Sequence, residues 1–335
     1  MALLAVGCGD DDSGPGGSGG TAGSGGSGGD GGAGGTGGSE APLLDEYVLE
    51  DEMLVPESGT FDSVGRNFYV GSATEGSVTR VAADGAEEVF FEPEGDNWRT
   101  LGMVADVEAR RLWVCAQRTD PVEQQIWVLD LDSGVQSLVL DIQDDAAADG
   151  TCNDVALDAG GLAYVSDSSN PRIYRADAEE ESITTWADDP LLGPDGGSFG
   201  GNGIAVTEDD AFVLLSKTFA SQMSPRFLRI NRADPSDIEG IATTPELAGT
   251  ADGMSFLDGV LYLSLVAEGD VLRIASDDDW ATATIASTAA VSGTSTVRPA
   301  EGRLYAIYSD ITNSLLGLPL NPPFRIFEVD LDSFE

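Results

Sequence analysis

The sequence predicts an all-β fold, a six-bladed β-propeller, from three observations. A strand motif with an apolar centre recurs six times, at Val78, Ile126, Ile173, Phe227, Val271 and Ile326. These centres lie 48, 47, 54, 44 and 55 residues apart, and each motif alternates polar and apolar residues as a half-buried strand does. No segment carries a sustained apolar period of 3.6 residues, so helices should be nearly absent.

Each copy of the motif brings further strands with it. Upstream of every motif lies a second strand, as in NFYVGS, RLWVCAQ and LAYVSDS, and upstream again lies a third, as in CNDVALD, GNGIAVT and ADGMSFL. Turns rich in Gly, Asp or Glu separate them. Three strands and a weaker fourth in six copies are typical of a propeller. The alternative is six hairpins that form an open sandwich.

Closure of the ring is predicted from the two ends of the repeat. The last copy stops at Phe334-Glu335 and leaves no room for a fourth strand, whereas the orphan strand 46–49 precedes the first copy. We therefore expect residues 46–50 to pair beside the strand around Ile326. That pairing would complete the last blade and remove an open sheet edge.

The N-terminal region predicts export rather than a folded unit. Residues 1–8 (MALLAVGC) are typical of the remnant of a bacterial lipoprotein signal, with Cys8 as the acylated residue, although the apolar run is short and no basic residues precede it. Residues 9–41 form a disordered Gly/Ser-rich linker, and residues 42–335 form the propeller. The predicted location is the bacterial cell envelope, either lipid-anchored at the outer membrane or periplasmic or extracellular. The alternative is a chance apolar start.

Charge and composition exclude several classes of function. The formal net charge is −43, with a single lysine, Lys217, and no histidine. Nucleic acids and anionic membrane surfaces need basic patches, so neither is expected as a partner, and any membrane contact would run only through the lipid anchor. The missing histidine excludes Ser-His-Asp triads and His-ligated metals, which leaves mainly carboxylates and amides. We expect a monomer that binds a small-molecule substrate.

A column of polar residues stands at the start of the predicted innermost strands. In blade order it reads Glu57, Leu101, Asn153, Asn202, Asp252 and Thr294. Innermost strands converge on the propeller axis, so two carboxylates and two amides should point at one spot, which suits a hard cation. Calcium is the first candidate, magnesium and manganese are alternatives, and zinc fits least. The alternative is four polar residues that satisfy turn amides around a water-filled pore.

The same strand starts resemble those of a known family. PESGTFD, CNDVALD, GNGIAVT and ADGMSFL are similar to the strand starts of regucalcin/gluconolactonase (senescence-marker-protein-type) six-bladed propellers, over about residues 44–332. The resemblance implies that Glu57, Asn153, Asn202 and Asp252 bind the metal. It also implies that Asp252 acts as general base or nucleophile in hydrolysis of lactones or related esters.

Two departures from the family leave more than one function open. Sugar-lactonase members carry a basic residue where this chain has Thr151, and the pocket histidine of other relatives has no counterpart. One hypothesis is a calcium-dependent hydrolase of lactones or related esters, displayed at the cell envelope. The alternative is a non-catalytic ligand- or protein-binding propeller with a structural metal in its pore. A third, a strictosidine-synthase-like condensing enzyme, would need an acidic residue deep in an apolar pocket.

Two cysteines are candidates for a disulfide. Cys115 ends the second strand of blade two and Cys152 begins the first strand of blade three, so both should lie near the same rim of the pore. An exported protein meets an oxidising compartment, in which such a pair can bridge. The alternative is two separately buried thiols.

Overall fold

The computed structural model describes residues 41–142, 150–195, 199–218, 224–290 and 293–335. Cys8, the predicted signal remnant and nearly all of the predicted linker lie outside these residues. The described chain is all-β, with six small sheets in the arrangement of a six-bladed propeller, which confirms the predicted fold class. Its helices are one α-helix, α1 (Ile311–Leu316), and a 3-10 turn at Leu331–Ser333. No helix within the described ranges is long and apolar enough to cross a membrane.

Each blade is built on an antiparallel meander whose first strand lies innermost. Blade one contains β2 (Gly59–Asp62), β3 (Asn67–Gly71), β4 (Val78–Ala82) and β5 (Glu87–Phe91). Blade two contains β6 (Trp98–Asp106), β7 (Arg111–Thr119), β8 (Val122–Asp130) and β9 (Gln136–Asp141). Blade three contains β10 (Cys152–Leu157), β11 (Ala163–Asp167), β12 (Arg172–Asp177) and β13 (Ser182–Asp188).

The remaining blades follow the same plan, with additions at their outer edges. Blade four contains β14 (Gly201–Val206), β15 (Phe212–Lys217), β16 (Phe227–Asn231) and β17 (Ile238–Gly240). Blade five contains β18 (Ala242–Thr244), β19 (Ala251–Leu257), β20 (Val260–Leu265), β21 (Asp270–Ala275) and β22 (Thr282–Ala289). Blade six contains β1 (Glu46–Val48), β23 (Thr294–Ala300), β24 (Arg303–Tyr308) and β25 (Arg325–Val329). The innermost strands contact one another in the order β2, β6, β10, β14, β19, β23 and back to β2, which makes a closed ring.

The N-terminal strand closes the last blade as predicted. β1 pairs antiparallel with β25, with Tyr47 opposite Ile326. Tyr47 is 2% exposed, and its ring lies 5.3 Å from that of Phe68 in blade one. The same short strand thus completes blade six and packs against blade one, which fastens the ring where its ends meet.

Blade five differs from the predicted four strands. β18 lies outside β22 and pairs with it in parallel, with Ala242 opposite Thr282. The chain leaves blade four after the three-residue strand β17 and runs directly along the outer edge of blade five. That edge would otherwise present unpaired backbone groups, which proteins commonly cover.

The two predicted disulfide partners are bonded. Cys115 on β7 and Cys152 on β10 form a disulfide with a Cα–Cα distance of 5.5 Å. Both residues are fully buried. The bond ties the second strand of blade two to the innermost strand of blade three, one residue before Asn153.

Candidate functional site

The four predicted ligands line one cavity. It has a volume of about 730 Å³, and Glu57, Asn153, Asn202 and Asp252 all contribute to its wall. Their exposed fractions are between 5% and 8%, so each polar side chain is nearly buried yet borders the cavity. The structure therefore brings together side chains from blades one, three, four and five, which are far apart in the sequence.

Irregular strand starts direct these side chains. The innermost strands of blades three, four and five each carry a β-bulge at the predicted ligand, between Cys152 and Val155, Gly201 and Ile204, and Ala251 and Met254. A bulge inserts one extra residue and turns the local side chain away from the regular ladder. Asn153, Asn202 and Asp252 fall inside these bulges, and this is how successive blades present a polar group to the same cavity.

Glycine follows two of the ligands because the inner strands approach very closely there. A Cβ atom on Gly203 would lie 2.2 Å from the carbonyl oxygen of Asp252, and one on Gly253 would lie 2.2 Å from Thr296 Oγ1. Neither distance is compatible with a side chain. The packing of one blade against the next thus requires the glycine of the Asn-Gly and Asp-Gly dipeptides.

A repeated serine holds the innermost strands of blades four, five and six to the preceding blade. On three successive second strands the hydroxyl donates to a backbone carbonyl of the next inner strand: Ser166 to Asn202 (2.6 Å), Ser216 to Asp252 (3.2 Å) and Ser264 to Ser295 (2.6 Å). This repeat also corrects the predicted column. The position in blade six that matches Asn202 and Asp252 is Ser295, not Thr294, because the bulge of β23 lies between Thr294 and Thr296.

Three oxygen atoms of the predicted ligands lack a hydrogen-bond partner in the part of the chain that the structure describes. Glu57 Oε2, Asn153 Oδ1 and Asn202 Oδ1 are buried and accept no hydrogen bond from any described residue. The Asn202 amide nitrogen donates to Thr218 Oγ1 at 2.6 Å, so the oxygen is the atom left unpaired. Buried polar atoms normally find partners, and three unpaired oxygens on one cavity fit the oxygen ligands of a hard cation.

Burial and mutual repulsion keep the two predicted carboxylate ligands out of their ordinary ionisation range. Burial, and after it the nearby carboxylate of Asp154, raise the pKa of Asp252 to about 8 against the opposing effect of the Asn202 side chain. Burial also raises the pKa of Glu57 well above its usual value, followed by repulsion from Asp252 and Asp154. A divalent cation would reverse this balance, since it stabilises the ionised form of both groups.

A buried ion pair that the sequence analysis missed lies beside these carboxylates. Asp154 and Arg298 are 4% and 7% exposed, and Arg298 Nη2 lies 3.4 Å from Asp154 Oδ1. Burial raises the pKa of Asp154, and Arg298 opposes that rise. The guanidinium also lowers the pKa values of Glu57 and Asp252, so it acts on every buried carboxylate of the site.

Arg298 spans several blades from the innermost strand of blade six. Its guanidinium donates to the carbonyl oxygens of Gly59 in blade one and Met254 in blade five, and to the hydroxyls of Ser58 and Ser255. Two signals in the sequence could have indicated the pair. Asp154 occupies the position after a ligand where blades four and five have glycine, and Arg298 is a basic residue in the innermost strand of blade six.

The charge of the site limits the kind of metal centre it can form. No group of three or more His, Cys, Asp or Glu side chains is placed to hold a metal among the described residues. Two carboxylates alone do not make such a group, so a cation at this cavity would depend on the amide oxygens of Asn153 and Asn202 as well. Asn oxygens and carboxylates together are ordinary calcium ligands.

Comparison with known proteins shows the family of the chain. The family model described as SMP-30/Gluconolactonase/LRE-like region matches residues 55–305, which include all four predicted ligands. The chain belongs to this family. No curated protein matches the chain.

Several solved structures share the fold of this SMP-30/gluconolactonase family chain. The major allergen Mala s 1 of Malassezia sympodialis is 16% identical, with a TM-score of 0.69 and coverage of 86% of this chain and 96% of that one. Regucalcin, a calcium-binding protein from Agrobacterium tumefaciens, is 16% identical, with a TM-score of 0.57 and coverage of 86% and 95%. A gluconolactonase from Xanthomonas campestris is 16% identical, with a TM-score of 0.56 and coverage of 86% and 89%. At these identities the likeness shows the fold alone.

Proposed function

We propose that this protein is a calcium-dependent hydrolase of lactones or related esters. One observation carries the proposal: three buried ligand oxygens without partners and the carboxyl group of Asp252 share the wall of one cavity. Family membership supports the reaction class, and the regucalcin and gluconolactonase neighbours support calcium and lactones respectively. Magnesium and manganese are the alternative metals.

The residues have separable roles in this proposal. Glu57, Asn153, Asn202 and Asp252 would hold the ion, and a bound calcium ion would polarise the substrate carbonyl and stabilise negative charge on its oxygen. Asp252, once ionised, accepts the proton of an attacking water or attacks the carbonyl itself. Arg298 keeps a fixed positive charge beside the carboxylates, which favours their ionised forms.

The proposed setting is the bacterial cell envelope. Acylation at Cys8 would anchor the chain, and the Gly-rich stretch that follows would act as a tether between the lipid and the propeller. We further propose that the protein works as a monomer on small molecules and not on nucleic acid. Labelled palmitate should enter the wild-type protein in a bacterial host but not the Cys8→Ser variant; equal labelling of both would contradict the anchor.

The function is tested by hydrolysis of a panel of lactones and aryl esters, first with calcium and then with EGTA. We expect turnover that calcium supports and that EGTA abolishes, with recovery on addition of excess calcium. Turnover that EGTA leaves unchanged would contradict the metal dependence. Chelator-sensitive melting with no turnover of any substrate would favour the alternative, a non-catalytic propeller that binds a ligand or protein and uses its metal for stability.

A further inference from the structure

The cavity is polar at the predicted ligands but apolar over much of its remaining wall. Leu101 occupies the ligand position in blade two, where an oxygen-bearing side chain would extend the polar set. Val122, Val266 and Ile311 add aliphatic surface from blades two, five and six. The wall also carries polar side chains such as Arg99, Gln117 and Arg118, so it offers a ligand both hydrogen-bond partners and a broad aliphatic surface.

Helix α1 supplies the most exposed part of this apolar wall. Leu315 and Leu316 line the cavity with exposed fractions of 57% and 67%. Ile311 at the start of the helix is 8% exposed, so the helix is anchored in the core at one end and presents two leucines at the other. Leucines that border a cavity and keep more than half of their surface exposed gain further burial when a ligand covers them.

The helix is held in place by the residue that precedes it. The Asp310 carboxylate accepts hydrogen bonds from the side chain of Asn313 (3.0 Å) and from the backbone and side-chain nitrogens of Asn321 (both 2.9 Å). Asp310 is 7% exposed. These contacts bridge the two ends of the segment 310–321, so polar contacts add to the core anchor at Ile311 in fixing the position of the two leucines at the cavity.

We propose that the cavity binds an ester or lactone with an apolar chain, whose carbonyl lies at Glu57 and Asp252 and whose chain packs on Leu315 and Leu316. This inference rests on the proposed function for its reacting group and adds the substrate class. The polar and apolar parts of the wall match the two ends of an amphiphilic molecule. A hydrophilic sugar lactone would leave the two leucines exposed and is therefore the poorer substrate.

The test uses γ-lactones with alkyl substituents from methyl to octyl, together with glucono-δ-lactone. We expect kcat/KM to rise along the alkyl series by up to about fourfold for each methylene that becomes buried, which corresponds to ~0.8 kcal/mol. Glucono-δ-lactone should be hydrolysed more slowly than the longer alkyl lactones. A flat series, or a preference for the sugar lactone, would overturn the proposal.

A second measurement separates this inference from the proposed function. Alkylcyclopentanones of the same chain lengths keep the ring carbonyl but cannot be hydrolysed, so calorimetric titration measures their affinity whether or not the protein is an enzyme. Affinity that rises with chain length supports the apolar site even if no lactone is turned over, in which case only the proposed hydrolysis fails. Affinity that does not change with chain length refutes the apolar binding site.

Matched variants locate the chain on the helix. Leu315→Asn and Leu316→Asn, alone and combined, should reduce the dependence of affinity and of kcat/KM on chain length. Leu318→Asn is the control, because Leu318 is 50% exposed and lies just after the same helix but does not line the cavity. All three leucines are at least half exposed, so the variants should melt at temperatures close to that of the wild type. A chain-length dependence that all variants retain would exclude α1 as the chain-binding surface.

Discussion

At the scale of single residues, the two carboxylates of the site differ in what their neighbours allow them to do. Asp252 lies in a bulge near Asn202, whose side chain lowers the pKa of Asp252, whereas Glu57 has an oxygen with no partner among the described residues. This difference suggests that Asp252 is positioned for chemistry and that Glu57 serves mainly as a ligand. Substitutions that remove one charge but keep the volume distinguish these roles.

Asp252→Asn should lower kcat for lactone hydrolysis by about a hundredfold or more, because the variant lacks a group that accepts a proton or attacks. Glu57→Gln should instead weaken calcium affinity by about tenfold or more, since ligand charge sets affinity. Saturating calcium should then restore much of the activity of this variant. Steady-state kinetics and calcium titration by calorimetry measure the two effects. If Asp252→Asn retains wild-type kcat, the assignment of Asp252 as the catalytic group is wrong.

The raised pKa of Asp252 predicts how stability depends on pH without metal. The folded pKa of about 8 lies above that of an unfolded Asp, so this group stabilises the fold at low pH and loses that contribution as pH rises toward 8. Asp252→Asn cannot titrate. In EGTA, the Tm of the wild type minus that of Asp252→Asn should therefore fall by on the order of 5 °C between about pH 5 and about pH 8.5.

Calcium supplies the control for this pH dependence. The ion favours ionised Asp252, so saturating calcium should remove most of the decline in the wild type. Repulsion among the many surface carboxylates grows with pH in both proteins, and its effect on Tm cancels in the difference between the two Tm values. A difference that stays constant across the pH range in EGTA would show that Asp252 ionises near its ordinary value in the folded protein.

The Asp154–Arg298 pair allows a test by double-mutant cycle. Arg298→Met should lower the free energy of unfolding by about 3–5 kcal/mol, because it leaves Asp154 buried without a compensating charge. Adding Asp154→Asn should recover part of that loss, since both charges are then absent. Urea denaturation in EGTA gives the free energies of unfolding of the wild type, the two single variants and the double variant. Additive effects would show that the two side chains do not interact energetically.

The sequence predicted the four side chains that share the cavity better than it predicted their surroundings, for a physical reason. Glu57, Asn153, Asn202 and Asp252 occur at equivalent places in a repeat, so comparison of the copies reveals them. Arg298 occurs in one copy, and its partners come from other blades. Such contacts depend on how the ring closes, which no local pattern specifies.

At the scale of elements, the same limit explains which parts of the fold were predicted. Strands of the repeat follow from alternation and turn residues, and β1 follows from counting strands. β18 and α1 do not recur in other blades. β18 forms because the outer edge of blade five is available, and α1 begins at the buried Ile311 and ends at Gly317 with φ of 64°.

The disulfide is the covalent link between two elements, and its removal should affect both stability and the site. The bond closes a loop of 37 residues, for which loop entropy predicts about 3–4 kcal/mol of stabilisation. Cys115→Ala with Cys152→Ala should lower Tm by on the order of 10 °C. Cys152 directly precedes Asn153, so calcium affinity should fall as well. Unchanged calcium affinity at a lowered Tm would limit the bond to a structural role.

At the scale of the whole molecule, stability depends on whether the ring is closed. A propeller spreads its packing over interfaces between neighbouring blades, and each innermost strand contacts two others. An open ring would expose the faces of blades six and one and the edge of β25 together. We therefore expect β1 to contribute more to stability than its three residues suggest, and its removal should destabilise the whole ring.

Two N-terminal truncations test ring closure and differ in only ten residues. Deletion of residues 1–40 keeps β1 and should leave Tm within about 2 °C of the full chain, because a Gly/Ser-rich tract buries too little to stabilise a fold. Deletion of residues 1–50 also removes the buried Tyr47 with its contact to Phe68 and leaves the outer edge of β25 unpaired, so it should lower Tm by on the order of 10 °C or prevent folding. Tyr47→Ala in the shorter deletion isolates the side chain, with an expected loss of about 3 kcal/mol. Equal melting of the two truncated proteins would show that the ring does not depend on β1 for its closure.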